Sequence, residues 1–244
     1  MTMKTSNKIL LGILLTGFGY LICAQIALHI KYVNNDFTDP AKYNALFNNE
    51  YTFRKVSHVN ITGLAECDII FSDSIKLYVE KSNINYVRFH TTGDTLVVNS
   101  ISYSEMSASS KLNRSPQNVI LYLPAGTEIS AVNSNINVKG SNRQDQPYSC
   151  HFDLTGCNLF TRYRNGIDSL DRYFSNVSIK ARKNSQVVLF RRDHFDTLQV
   201  ELDHSMVNDY HAKIERMDVI TDSNSVVVVS GGNIKKINAA LIKN

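Results

Sequence analysis

The sequence predicts an all-β fold, a right-handed parallel β-helix-like domain preceded by an N-terminal transmembrane helix. Three observations predict it. The first 30 residues hold an uncharged apolar run long enough to cross a bilayer. From Tyr51 onward, short stretches alternate apolar and polar residues between clusters of Asn, Ser, Asp and Gly, as strands with one buried face do. Toward the C-terminus these stretches recur at a step of about 20 residues.

The apolar run comes first. In "KILLGILLTGFGYLICAQIALHIK" the 20 residues from Ile9 to Leu28 carry no charge. At about 1.5 Å per residue a helix of that length matches the roughly 30 Å hydrocarbon core, so residues 1–28 read as a signal anchor with the lipid bilayer as partner of residues 9–28. Lys4 and Lys8 precede it and keep the N-terminus cytoplasmic, which places everything after His29 outside an inner membrane crossed once. The alternative is a cleaved signal peptide and a secreted product. Cleavage after Ala24 would put Ile22 at −3, and cleavage after Ala27 would put Gln25 there; neither is the small residue a signal peptidase wants. Residues 29–50, with Asn pairs at both ends, Pro40 and a helix-like patch over Ala41 to Phe47, read as a membrane-proximal linker.

Residues 51–244 form the exported domain. Four stretches align, beginning at Val177, Leu198, Met217 and Ile237, at steps of 21, 19 and 20 residues. Ile179, Val200, Val219 and Ala239 then share a position, as do Ala181, Leu202, Thr221 and Leu241. Two looser copies start at Ile129 and Cys150. A unit of this size cannot bury its own apolar face, whereas stacked units can, which favours a β-helix over a sandwich. Upstream, "TTGD" before "TLVVN" predicts a hairpin turn, and Ser102 to Pro116 reads as a polar insertion.

Composition bounds the function. Of 244 residues 43% are hydrophobic and 20% charged, ordinary globular usage, and a net charge of +4 gives no ground for a nucleic-acid partner. Cys23, Cys67, Cys150 and Cys157 lack the paired spacing of a zinc site. Cys150 and Cys157 either bridge or sit buried as small hydrophobes.

The stretches "FRKVSHVNITGLAECDIIFSDSIKLYVEKS", "TLVVNS" and "NVILYLPAGTEISAVNSNINVKG" resemble the auto-transporter adhesin head (GIN) domain family of exported Bacteroidota proteins. The resemblance rests on Ile61 to Gly63, Ile75 to Val79, Leu96 to Val98 and the Leu-Pro before Gly126, and covers about Tyr51 to Asn244. It implies a β-helix-like exported domain, often tethered to the envelope, with no assigned chemistry.

Asp203, His204 and Ser205 carry the side chains of a hydrolase triad, but consecutive residues of a strand or turn point apart, and a triad draws on distant segments. They align with Lys183, Asn184 and Ser185 and with Asp222 to Ser225, so they read as a turn. His194, His204 and His211 are out of step with the repeat and are not expected to share a metal. No cofactor is implied. From Arg162 to Arg192 eight cations face two acids, with Tyr163, Tyr173 and Phe174 interleaved. Arg162, Arg164, Arg182, Lys183, Arg191 and Arg192 are the candidate face for acidic glycans or envelope components. The expected function is non-enzymatic, adhesin-like or structural in the cell envelope. The alternative is a carbohydrate-active β-helix enzyme, a polysaccharide lyase or glycosidase, for which Asp193, Asp196 and Asp203 are the nearby carboxylates.

Overall fold

The computed structural model describes residues 5–33, 48–101, 118–161 and 171–241, and the chain divides into two units, Met1–Phe47 and Asn48–Asn244. In the first, helix α1 spans Thr5–Val33. Its side chains are described over residues 12–26, which rise about 22 Å at 1.5 Å per residue, less than a bilayer core. Among the described residues no helix is long and apolar enough to cross a membrane. The predicted span over 9–28 is thus not reproduced at full length. Residues 9–11 and 27–28, which would complete it, lie outside the described side chains. Ile13, Leu15, Phe18, Leu21 and Ile26 are nevertheless all exposed, and residues 12–26 carry no charged side chain.

The second unit begins three residues before the predicted boundary. Its strands are β1 Asn48–Phe53, β2 His58–Thr62, β3 Glu66–Phe71, β4 Ile75–Glu80, β5 Val87–Thr92, β6 Thr95–Ser100, β7 Asn118–Leu123, β8 Glu128–Val132, β9 Asn135–Lys139, β10 Tyr148–Thr155, β11 Asn158–Phe160, β12 Arg172–Arg182, β13 Gln186–Val188, β14 Asp193–Asp203, β15 Met206–Asn208, β16 Lys213–Thr221, β17 Val226–Val228 and β18 Ile237–Leu241. They form two nine-stranded sheets among the described residues. One runs β18-β16-β14-β12-β10-β8-β2-β6-β5, the other β1-β4-β7-β3-β9-β11-β13-β15-β17.

From β8 onward consecutive strands alternate between the sheets, and each pairs in parallel with the strand two steps further on. The predicted repeat register is the observed one. Val177 lies beside Leu198, Leu198 beside Met217 and Met217 beside Ile237, with Ile179, Val200, Val219 and Ala239 two places on. Period two explains the buried face: Val177, Ile179 and Ala181 point in, and Ser178, Lys180 and Arg182 point out. The short strands face them with Ile136, Leu159, Val187 and Val207, all fully buried.

Three departures have physical causes. Ile129 pairs with Phe152 and not with Cys150, a slip of two places that keeps the buried face and so left the apolar pattern intact. The long strands also bend. Phe174 and Val177 are both buried with Ser175 and Asn176 between them, and the same break recurs at Phe195/Leu198 and Ile214/Met217. The bend lets the Phe174 and Phe195 rings stack at 4.8 Å. Finally, the first half is not a simple continuation of the parallel stack. β4 pairs antiparallel with β1 and β7, and β5 antiparallel with β6 through the predicted turn at Gly93. β2 lies between β6 and β8, and β3 between β7 and β9. After β1 at a sheet edge, the chain therefore steps inside the stack at β2 and β3, goes outward through β4 to β6, and returns at β7 and β8. The linker patch at 41–47 and the insertion at 102–116 lie outside the described residues.

Candidate functional site

Where a strand of the β2-containing sheet hands over to the following strand of the other sheet, the chain turns through a left-handed residue. Gly63, Asn133, Gly156, Lys183 and His204 have φ of +69°, +49°, +63°, +54° and +50°. Asn and His are among the few side chains that tolerate this region, and Gly does so freely. The corners are tied layer to layer: Gly63 N–H donates to Val132 O, Asn133 N–H to Thr155 O, Gly156 N–H to Arg182 O and Lys183 N–H to Asp203 O.

Beside this row runs a second one, of hydroxyls and one thiol. Leu64 N–H donates to Ser134 Oγ at 3.1 Å, Ser134 N–H to Cys157 Sγ at 3.4 Å and Cys157 N–H to Ser185 Oγ at 3.1 Å. Ser185 N–H then donates to Ser205 Oγ at 3.2 Å, and Ser205 N–H to Ser225 Oγ at 3.1 Å. Each buried amide at the corner thereby finds an acceptor in the next layer. Cys157 occupies a serine's place, Cys150 is a core residue, and all four cysteines are free, so the bridge between Cys150 and Cys157 does not form.

The Asp203-His204-Ser205 letters resolve within these rows. Ser205 Oγ is buried and donates to Asp203 O, so it is not the nucleophile of a triad. His204 Nδ1 instead lies 2.6 Å from Asp203 Oδ1 and 3.0 Å from Asp222 Oδ2, with Asn224 Nδ2 at 3.0 Å from Nε2. The hydrogen bond to Asp203, and then the charge of Asp222, raise the imidazole pKa, while the hydrogen bond from Ser225 Oγ lowers that of Asp222. Asp222 joins the corner from the next layer, and its alignment opposite Asp203 is the signal in the sequence that the two meet. His194 packs on Tyr173 at 4.7 Å, and His211 sits in the turn before β16, so neither joins His204.

Of the predicted basic residues, Arg162 and Arg164 lie outside the described residues. Arg182 faces out of β12 and its Nη1 lies 2.6 Å from Asp153 Oδ1 of the neighbouring layer; Lys180 lies 3.0 Å from Glu201. Lys183 stands at the corner after β12, and Arg191 and Arg192 stand exposed on the turn before β14. The four described residues thus lie on two different turns of one layer and one strand face.

The turn before β14 holds a feature not foreseen. Arg172 Nε donates to Asp193 Oδ1 at 2.6 Å with both side chains buried, and Asp193 Oδ2 accepts from Phe190 N–H at 2.7 Å and from Thr161 Oγ. Burial pushes the Asp193 carboxyl up to about 6, against the pull of Arg172. Both residues occupy the inward phase of paired strands, two places before Phe174 and Phe195. A cation and an acid at matched inward positions of successive repeats was the legible clue. Asp193 is structural and cannot serve as an exposed acid. On the outer face, a groove is lined by Ser178, Lys180, Gln199, Glu201 and Asp218.

No family model and no curated protein sequence matches the chain. Several solved structures are similar to it at low identity, among them the following three. One, from Parabacteroides distasonis and provisionally described as an adhesin, has a TM-score of 0.49 and 9% identity, with 80% of this chain and 75% of that one covered. Another of the same description, from Parabacteroides merdae, gives 0.46 and 11%, covering 80% and 74%. A third, from Parabacteroides distasonis and provisionally described as lipid-binding, gives 0.46 and 9%, covering 79% and 74%. None of them bears the GIN name.

Proposed function

We propose that this chain is a membrane-anchored, exported β-solenoid, a right-handed parallel β-helix that acts as an adhesin-like or structural binding module of the cell envelope. The carrying observation is the outer face of the long-strand sheet, where His151, Ser178, Gln199, Asp218 and Asn238 fall side by side in consecutive layers. Polar rows repeating at a strand spacing of about 4.8 Å offer an extended polymer equivalent contacts along its length. Right-handedness is the hand that parallel crossover connections adopt. The anchor is the N-terminal apolar run, uncharged from Ile9 to Leu28 behind Lys4 and Lys8, which would leave the β domain on the extracytoplasmic side of the inner membrane.

The ligand class is an acidic glycan or another anionic envelope component, engaged through Arg182, Lys183, Arg191 and Arg192, together with Arg162 and Arg164. The enzyme alternative has one observation in its favour, the groove that contains Glu201 and Asp218. Each of those carboxylates is held by its own cation, Lys180 at 3.0 Å and Arg216 at 3.0 Å, which favours binding over catalysis. The test is binding of the purified full chain, in detergent, to immobilised acidic glycans and envelope polymers. Reversing Arg182, Lys183, Arg191 and Arg192 to Glu is expected to weaken binding at least tenfold, and salt to weaken wild-type binding. An absence of binding, or binding untouched by the reversal, rejects the reading. Release of reducing ends or unsaturated sugars would move it to the enzyme.

A further inference from the structure

We infer that Asp203, His204 and Asp222 form a zinc-type divalent cation site at the corner between β14 and β15, extended by the turn after β16. One ligand atom from each lies within 4.8 Å of the others. Two layers of the stack contribute, so the fold itself sets the geometry. Asp203 closes β14, His204 turns the chain with its φ of +50°, and Asp222 is brought alongside by the pairing of Leu202 with Thr221.

A second observation points to a ligand. Asp222 is buried, and its Oδ2 is a buried side-chain oxygen that lacks a hydrogen bond. Its other oxygen is satisfied by Ser225 Oγ and His204 N–H. Oδ2 faces His204 Nδ1 at 3.0 Å, but that nitrogen carries at most one proton and Asp203 lies nearer, at 2.6 Å. A buried carboxylate oxygen without a hydrogen bond is costly. A cation among the three atoms would satisfy Oδ2, Asp203 and the neutral imidazole together.

The donor set selects the cation. An imidazole nitrogen with two carboxylates suits zinc, whereas calcium and magnesium prefer oxygen ligands alone. Zinc with ligands at about 2.1 Å sets neighbouring donors about 3.4 Å apart, so Asp203 and His204, both exposed and now 2.6 Å apart, need to open by about 0.8 Å. Two carboxylates balance the charge of the ion. Three protein ligands leave a fourth position on the solvent side. Asn224 lies at Nε2 on the far side of the ring, and with its amide turned over its oxygen would accept the Nε2 proton and hold the tautomer that frees Nδ1. Lys183 and Asn184 of the preceding layer flank the same corner.

The inference does not depend on the proposed glycan face. It is tested on the untagged full chain, purified in detergent and stripped with chelator, by calorimetric titration with zinc chloride and by the visible absorption of added cobalt(II). The expected result is one ion per chain, a tetrahedral-type cobalt band, and a thermal midpoint that rises with zinc but not with calcium. His204→Asn, which keeps a side chain suited to the left-handed turn, and Asp203→Asn, at an exposed carboxylate, are each expected to lower affinity about 100-fold or more. Circular dichroism without metal establishes that the variants are folded; should His204→Asn not be, Asp203→Asn carries the comparison. No zinc uptake by the wild-type chain, or uptake unchanged in the folded variants, overturns the site.

Discussion

Gly156 sets the tightest steric limit at the corners. With φ at +63° and an added Cβ only 2.6 Å from Asn133 Oδ1, it admits a side chain only if the Asn133 amide is displaced. Gly156→Ala is expected to cost about 2 kcal/mol or more in urea denaturation, the left-handed penalty plus the displacement of Asn133. Asp193 makes a different prediction. Its folded pKa, about 6, lies above that of an unfolded aspartate, so the folded state holds the extra proton between about pH 4 and 6. Stability from this group is present below that window and is lost as pH rises through it, the reverse of an ordinary paired carboxylate. Denaturation midpoints from pH 4 to 7 should show this component in the wild type and not in Asp193→Asn. At pH 7 the same substitution removes the buried carboxylate that Arg172 Nε donates to and is expected to cost about 3 kcal/mol. At this scale the sequence conveyed which residues form corners, since Asn, Gly, Ser and Asp cluster there. It did not convey which corner atoms meet, because Asp222 and His204 are neighbours only through the stack.

The long and short strands are legible for different reasons. Val177, Ile179 and Ala181 advertise the long strand by alternation, and the repetition of the pattern at Leu198 and Met217 gives its register. The bend at Ser175 and Asn176 breaks the alternation, so Phe174 dropped out of the pattern although it is core. The slip at Cys150 stayed hidden because a shift of two residues leaves every side chain on its own face. Between the strands, the hydroxyl row is the element that locks layer to layer. Ser185→Ala removes the acceptor of the buried Cys157 amide and is expected to destabilise by about 1–3 kcal/mol. Cys157→Ser, which places a better acceptor 3.4 Å from the Ser134 amide, should be neutral or stabilising in the same assay. A loss comparable to that of Ser185→Ala would show that the row does not carry the load assigned to it.

For the whole molecule, composition and periodicity sufficed for an all-β domain behind an N-terminal helix, and for parallel stacking over the last hundred residues. They did not suffice for the path of the first half. Repeat reasoning assumes that neighbours in sequence are neighbours in the stack, and β2 violates this by pairing with β6 and β8. The antiparallel strands β1 and β5 lie at sheet edges, where they close one end of each sheet with strands that do not belong to the repeat. The hairpin turn at Gly93 marks the antiparallel pairing of β5 with β6, whereas β1 reaches its antiparallel partner β4 across two intervening strands and no turn between them signals it.

The embedded position of β2 also sets a timetable. Val59 takes Leu96 on one side and Ile129 on the other, both of which leave the ribosome after it. A chain threaded out N-terminus first must hold β2 and β3 unpaired until the outward excursion has returned, and only then is there a finished layer for a newcomer to join. From β10 on, each arriving layer finds its template complete. Assembly is thus slow to begin and sequential afterwards, and the interval before β8 arrives is when the emerging segment most needs shelter from other chains.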